Sequence, residues 1–126
     1  MILLCQSILK KELSPLKNHF SLAAIVSSAI KAKKGLGEEI KGSALRGTKL
    51  VKVYLTGERG AGRVIHLLIV SKDFWIPVVL RLKKDKQVGE NITIHNPAFK
   101  KLLDKNIDLV LKDLKNGDFE KLSLEE

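Results

Sequence analysis

With 126 residues, 44% of them apolar, the chain has the length and composition of one globular domain with a single hydrophobic core. Its single cysteine excludes an internal disulfide, and its three histidines are too scattered to suggest a metal site, so no metal or other cofactor is expected. No segment reaches the roughly 20 apolar residues that a membrane-spanning helix needs, which predicts a cytoplasmic protein with no membrane partner.

The net charge of +9 is distributed unevenly along the chain. Residues 1–90 hold 17 Lys/Arg and 7 Asp/Glu, whereas residues 91–126 hold 6 and 7. The surplus of cations concentrates between Lys49 and Lys86 and indicates a polyanionic or acidic partner. Nucleic acid is the leading candidate, because cations carried by strands are fixed in place and can polarise a phosphate.

Residues 1–48 are predicted to be mainly helical. Ile2–Leu4 could form a short strand, and residues 7–34 show the apolar spacing of helices. Ser14–Pro15 and Phe20 mark two breaks that would make a helical hairpin. Residues 35–48 are polar and glycine-rich, which predicts a long loop.

Residues 49–95 are predicted to form a basic β-meander. Its strands are the apolar runs Leu50–Leu55, Arg63–Val70 and Phe74–Leu82, and a glycine-rich hairpin loop joins the first two. Pro77 cannot donate a hydrogen bond to a neighbouring strand, so the third strand must lie at an edge or carry a bulge. Ile92–Ile94 could add a short fourth strand.

Residues 96–117 give the clearest helical pattern. Asn96 is a helix cap, Pro97 suits the first turn, and Gly117 suits the end. The apolar stripe consists of Phe99, Leu102, Leu103, Ile107, Val110, Leu111 and Leu114. Residues 118–126 are predicted to be a frayed acidic tail. The predicted fold is therefore α+β in a single domain, with N-terminal helices, an antiparallel sheet of three to four strands and a C-terminal helix packed on it.

Arg63 is the leading candidate for chemistry. It opens the most apolar strand directly after glycines that let a phosphate approach closely. Its guanidinium could bind a phosphate through two hydrogen bonds and stabilise the charge that builds up during phosphodiester cleavage. The alternative is an arginine at a strand end that reaches solvent or pairs with Glu58.

Aromatic and histidine side chains near the cations have competing interpretations. Tyr54 lies on the same strand face as Lys52 and could stack on a base, or it could pack half-buried against a helix. His66 lies in an apolar run, where a core histidine is the simpler interpretation than a catalyst. His95 could act as a general base, although capping of the adjacent loop is the simpler interpretation.

The chain resembles the RelE/ParE toxin superfamily of bacterial type II toxin–antitoxin systems. The order of helical hairpin, meander and C-terminal helix in a small basic protein is similar to that of the family. The resemblance covers roughly residues 44–115, and the N-terminal hairpin matches by pattern only. The segments that carry it are Lys49–Tyr54, Gly60–Ile65 and Val79–Lys83, together with Asp85–Asn91 and Asn96–Phe99.

The resemblance implies a cognate antitoxin and one of two activities. RelE-like members cleave mRNA in the ribosomal A site, whereas ParE-like members inhibit DNA gyrase without cutting nucleic acid. Arg63 matches the arginine that opens a strand in the family, Arg81 matches a basic residue near the end of the next strand, and Lys52 matches more loosely. The chain departs from many RelE-like nucleases after Leu82, where lysines replace a Tyr or a His-Tyr pair.

The resulting hypothesis is a ribosome-dependent mRNA endoribonuclease that inhibits translation through attack of a 2′-hydroxyl on the adjacent phosphate. The expected catalytic residues are Arg63, Arg81, Lys52, Lys83 and Lys86, and the expected RNA-binding residues are Arg46, Lys49, Tyr54, Arg59 and Lys84. The arginines would stabilise the transition state, and the lysines would orient the message or move protons. Two alternatives remain open, namely a ParE-like gyrase inhibitor and a non-catalytic basic module that binds nucleic acid.

Overall fold

The computed structural model describes residues 1–42, 45–57 and 59–124, which form an α+β fold. The strands are β1 (Ile2–Cys5), β2 (Glu38–Ile40), β3 (Thr48–Gly57), β4 (Gly60–Ile69), β5 (Phe74–Leu82) and β6 (Phe119–Leu122). The helices are α1 (Gln6–Ile8), which continues as a π-helical turn (Leu9–Leu13) and a 3₁₀ turn (Ser14–Leu16), then α2 (Leu22–Lys33) and α3 (Pro97–Asn116). A further 3₁₀ turn (Val70–Lys72) joins β4 to β5.

All six strands belong to one sheet with the order β2-β3-β4-β5-β1-β6. The neighbours in this sheet are antiparallel except for β1 and β5, which are parallel. The α+β class, the mainly antiparallel sheet and the C-terminal helix are therefore confirmed. The predicted number of three to four strands is wrong.

Two strands lie where the sequence predicted none. β2 falls within the predicted loop and pairs with β3. β6 occupies part of the predicted frayed tail and pairs with β1 along its whole length. Residues 92–94, in contrast, form turns rather than a strand. A segment of three or four residues is too short to show a recognisable alternating pattern. Such a segment becomes a strand because the neighbouring strand supplies its hydrogen bonds.

The predicted break at Phe20 and both predicted ends of α3 are confirmed. The side chain of Ser21 accepts a hydrogen bond from the backbone of Ala24 at the start of α2, and that of Asn96 accepts one from Ala98 at the start of α3. After α3, Gly117 adopts a left-handed conformation with a φ of 74°, which glycine reaches without steric cost.

Pro77 produces the expected irregularity in β5. Ile65 pairs with Val79, whereas the next residue, His66, pairs with Pro77, so Val78 is an extra residue in β5. This β-bulge lets the proline lie in β5 opposite β4 without interrupting a regular ladder of hydrogen bonds.

The outer edge of β5 is only partly covered by another strand. β1 pairs with β5 near Trp75, and beyond that point side chains replace a neighbouring strand. Glu12, in the π-helical turn, accepts a hydrogen bond from the backbone N–H of Leu80 at 3.0 Å. Asn106, in α3, donates one to the carbonyl oxygen of Val78 at 2.8 Å. Helical segments thus satisfy the backbone groups of the strand that carries Arg81.

The two faces of the sheet have different environments. Val51 and Val53 of β3 are buried on the face that α2 covers, where Ser28 Oγ lies 2.8 Å from His66 Nε2. Lys52 and Tyr54 alternate with these valines and lie on the opposite face. Over the described residues, no helix is long and apolar enough to cross a membrane.

His66 predicts a specific pH dependence of stability. It is fully buried, and burial lowers the pKa of its imidazole to about 3. The unfolded chain takes up this proton below pH about 6.5, whereas the folded protein does so only near the lowered pKa, so acid favours unfolding. Between these values we expect His66 to reduce the free energy of unfolding by up to about 1.4 kcal/mol for each unit that the pH falls.

Urea unfolding at a series of pH values checks this expectation. The His66→Gln variant should lose this part of the slope, whereas His95→Gln, which changes an exposed histidine, should keep it. A slope that is the same in wild type and His66→Gln would contradict the prediction.

Candidate functional site

The two leading arginines lie next to each other on adjacent strands. Tyr54 of β3 pairs with Arg63 of β4, which in turn pairs with Arg81 of β5. Because paired residues point to the same face, the register brings the aromatic ring and both guanidinium groups together on the face opposite α2. Three residues proposed separately from the sequence thus lie side by side across three strands.

Arg63 is held in place without an acidic partner. Its guanidinium carbon lies 4.1 Å from the centroid of the Tyr54 ring, and its Nη1 donates to the carbonyl oxygen of Gly62 at 3.3 Å. No carboxylate of the described residues forms an ion pair with it, and Glu58, the partner considered from the sequence, lies outside those residues. Stacking on an aromatic face orients a guanidinium while leaving N–H donors at its edge available.

Tyr54 is exposed and surrounded by cations. Its side chain retains 53% of its accessible surface, so it does not pack against a helix. Lys52 Nζ lies 5.4 Å from the ring centroid and 3.5 Å from Glu38 Oε2. The tyrosine therefore supports Arg63 rather than the hydrophobic core.

Arg63 opens onto a cleft of about 510 Å³, the Arg63 cleft, at the end of the β4–β5 pair. The cleft is lined by Gly60, Ala61, Arg63, Leu82, Lys83, Lys84 and Glu90. The backbone N–H of Lys83 donates to the carbonyl oxygen of Ala61 at 2.8 Å, which continues the strand pairing past Leu82. Three cations consequently border one concave surface beside the glycine hairpin.

Arg81 has a different environment, because two carboxylates bind it. Its Nη1 lies 2.5 Å from Glu12 Oε1, and its Nε lies 3.7 Å from Asp85 Oδ2. The side chain of Glu12 is completely buried. The same carboxylate oxygen also accepts from Leu80, so Arg81 neutralises a buried charge that caps the strand edge. Arg81 is thus a structural cation in addition to its place beside Arg63.

The segment after Leu82 lacks the aromatic pair of many RelE-like nucleases, but it is well ordered. Asp85 Oδ1 accepts from the backbone N–H groups of Gln87 and Val88, and Asn96 Nδ2 donates to the carbonyl oxygens of Gln87 and Asn91. A Cβ at Gly89 would collide with the carbonyl oxygen of Leu82. Lys83 and Lys84 therefore belong to a turn with a fixed shape.

Other residues proposed from the sequence lie outside the Arg63 cleft. Lys49 lies on the face of β3 opposite to Lys52 and forms an ion pair with Glu39. It is about 17 Å from Tyr54 along the strand. Arg46 is exposed in the turn before β3. Arg59 is exposed in the β3–β4 turn, and Lys86 is exposed in the turn after β5. The expected ten-residue set is thus divided among several surfaces.

His66 and His95, the two histidines considered from the sequence, lie in different environments. His66 is a core residue, which confirms the simpler interpretation. His95 is exposed, and its own backbone N–H bonds to Thr93 Oγ1 in the loop that precedes α3. Its loop position is therefore clear, and its proposed role as a base stays a prediction.

Sequence reasoning missed Glu12, Lys11 and Asn106. Lys11 Nζ donates to Asn106 Oδ1 at 2.6 Å, and burial lowers the pKa of Lys11. Glu12 and Asn106 then reach the edge of β5 directly. No local pattern marks these residues, since a polar side chain between apolar helical positions normally indicates a solvent-facing surface.

The described residues contain no group of three or more His, Cys, Asp or Glu side chains placed to hold a metal ion. Comparison of the chain with family models, curated proteins and solved structures gave no match.

The environments of the two arginines predict different effects on stability. Arg81→Ala leaves a buried carboxylate without its cation and should lower the free energy of unfolding by about 3–5 kcal/mol. Arg63→Ala removes a stacked but half-exposed group and should cost about 1 kcal/mol or less. Urea unfolding of both variants measures the difference.

A second substitution tests the cause of the Arg81 effect. Replacing Glu12 by Gln in the Arg81→Ala background removes the unpaired charge while keeping an oxygen for Leu80, so part of the stability should return. Equal losses for the two single variants, or no recovery in the double variant, would contradict this assignment.

Proposed function

We propose that the protein is a RelE-like toxin, an mRNA endoribonuclease that acts on the ribosome, inhibits translation and is held by a cognate antitoxin in the cytoplasm. The sequence resemblance motivates this proposal. The fold agrees with it in outline, since two N-terminal helical segments precede the meander and a helix follows it. The RelE-like fold and the endoribonuclease activity are both part of this proposal.

One observation carries the proposal, namely the state of Arg63. Its guanidinium is oriented by Tyr54, has no acidic partner among the described residues and borders a concave surface with Lys83 and Lys84. A cation that is already oriented stabilises developing negative charge without reorganising during the reaction. The guanidinium fork also matches two phosphate oxygens at once.

The proposed reaction is attack of the message's own 2′-hydroxyl on the adjacent phosphorus. A bond forms between the 2′-oxygen and phosphorus, and the bond from phosphorus to the 5′-oxygen breaks, which leaves a 2′,3′-cyclic phosphate and a 5′-hydroxyl. Arg63 stabilises the extra charge on the phosphate oxygens. The proton of the 2′-hydroxyl passes to water, and the departing 5′-oxygen takes one proton from water or from a lysine ammonium that water reprotonates, so no proton is gained or lost overall.

The lysines have unequal positions for these steps. Among the lysines of the expected catalytic set, Lys83 lines the Arg63 cleft. We therefore assign to it the transfer of a proton or the binding of the adjacent phosphate. Lys52 contacts the Tyr54 ring and is assigned to holding the aromatic support. Lys86 is exposed outside the cleft and can attract the message from a distance.

Induction of the protein in growing cells tests the proposal. Mapping of 5′-hydroxyl ends should reveal message cleavage as growth stops, and Arg63→Ala should reduce cleavage by about 10²–10³-fold because it removes a positioned electrostatic group. Arg63→Lys should recover only part of the activity, since lysine keeps the charge but not the planar fork.

Lys115→Ala is the control, because it removes one positive charge from an exposed position on α3 outside the Arg63 cleft. It should leave cleavage close to wild type. DNA supercoiling is measured in the same cultures. A change in supercoiling without message cleavage would favour the ParE-like alternative, and unreduced cleavage by Arg63→Ala would remove Arg63 from the reaction.

A further inference from the structure

Three neighbouring clefts follow one another around the end of β5. The Arg63 cleft shares Leu82 and Lys84 with a second cleft of about 570 Å³, which in turn shares Arg81 and Asp85 with a third of about 290 Å³. Since each pair of neighbours has lining residues in common, the three clefts lie next to one another around the end of β5, and we call them together the extended groove.

Positive charge lines the extended groove on both sides of its centre. Among the described residues, seven cations and three carboxylates border it. Two of the carboxylates, Glu12 and Asp85, are bound to Arg81, and Lys11 lines the same central cleft, so these two cations and two carboxylates make the centre close to neutral. The uncompensated cations therefore lie near Arg63 at one end and on α3 at the other.

The cations at the second end are Lys101 and Lys105. Both side chains are exposed, line the third cleft and form no ion pair with a carboxylate of the described residues. They differ in this from Lys100, whose Nζ lies 2.9 Å from Asp104 Oδ2. Residues four positions apart share one side of a helix, so the two free ammonium groups face the groove together.

Apolar side chains lie between these charges. Pro15 and Leu16 line the second cleft, and Val88 and Leu102 line the third. A single-stranded nucleic acid presents phosphates and unpaired base faces in alternation, so a groove with cations beside apolar surface suits both parts. An acidic peptide without apolar side chains, such as oligoglutamate, would use the cations alone.

We propose that the extended groove binds single-stranded RNA well beyond the phosphate at Arg63, with Lys101 and Lys105 of α3 contacting phosphates at its distant end. This inference rests on the proposed function for the kind of ligand and for the place of Arg63. It adds a binding surface on α3, outside the basic meander. It also predicts that RNA length, and not only the cleaved site, determines affinity.

Fluorescence anisotropy with 2′-O-methyl RNA tests the groove without cleavage, because this RNA lacks the attacking hydroxyl. We compare oligonucleotides of about 3 and about 12 nucleotides, since the longer one can span a groove of this kind. The double variant Lys101→Ala/Lys105→Ala should bind the longer RNA about tenfold more weakly, with a salt slope smaller by about 1.4. Its affinity for the shorter RNA should be unchanged.

Lys112→Ala/Lys115→Ala is the matched control, because it removes two exposed lysines from the same helix at positions outside the three clefts. It should bind both RNAs like wild type. Arg63→Ala should weaken both. Equal effects of the two lysine pairs, equal effects of RNA length, or no salt-dependent binding by wild type would overturn the proposal.

Two further outcomes separate this inference from the proposed function. The Lys101→Ala/Lys105→Ala variant is also tested with an acidic peptide, such as oligoglutamate. If this variant loses peptide binding but keeps RNA binding, α3 is assigned to a protein partner and the proposed RNA groove is overturned. Message cleavage that depends on Arg63 in cells would then still support the nuclease. Conversely, length-dependent RNA binding through α3 without any cleavage would support the groove and reject the nuclease.

Discussion

The fold depends on how the open edge of β5 is closed inside the protein. β1 covers this edge only near Trp75, and a buried backbone N–H or C=O group that lacks a partner is costly. The carboxylate of Glu12 and the amide of Asn106 take the place of the missing strand. The negative charge of Glu12 then requires a cation, and Arg81 supplies it at 2.5 Å. One buried ion pair thereby attaches the N-terminal helical segment to the strand that forms the wall of the groove.

The same ion pair explains why two adjacent arginines are compatible with a stable sheet. Arg63 and Arg81 pair directly across β4 and β5, and like charges in this position repel each other. Neutralisation of Arg81 by Glu12 and Asp85 removes most of that repulsion. Arg63 can then keep its charge while it stacks on Tyr54. The functional difference between the two arginines comes from their neighbours, because the residue type is the same.

The elements that sequence reasoning predicted correctly have local causes. Asn96 and Gly117 mark the ends of α3, and Pro77 marks the bulge, because each acts through the backbone within one or two residues. The missed strands have distant causes instead. β2 buries only Ile40, and β6 depends on pairing with β1, so neither carries an alternating pattern of its own. Glu12 was missed for the same reason, since its partner in β5 lies 68 positions further along the chain.

The charge of a whole segment is a poor guide to the charge of the surface it presents. Residues 91–126 carry 6 cations and 7 carboxylates, so their summed charge is close to zero. A helix, however, separates its residues around an axis, so acidic and basic groups can collect on different sides. Lys101 and Lys105 border the groove, while Asp104 forms an ion pair with Lys100. Which side of α3 borders the groove depends on how the helix packs on the sheet. One contact in that packing is the hydrogen bond from Asn106 to the β5 edge, which the sequence does not reveal.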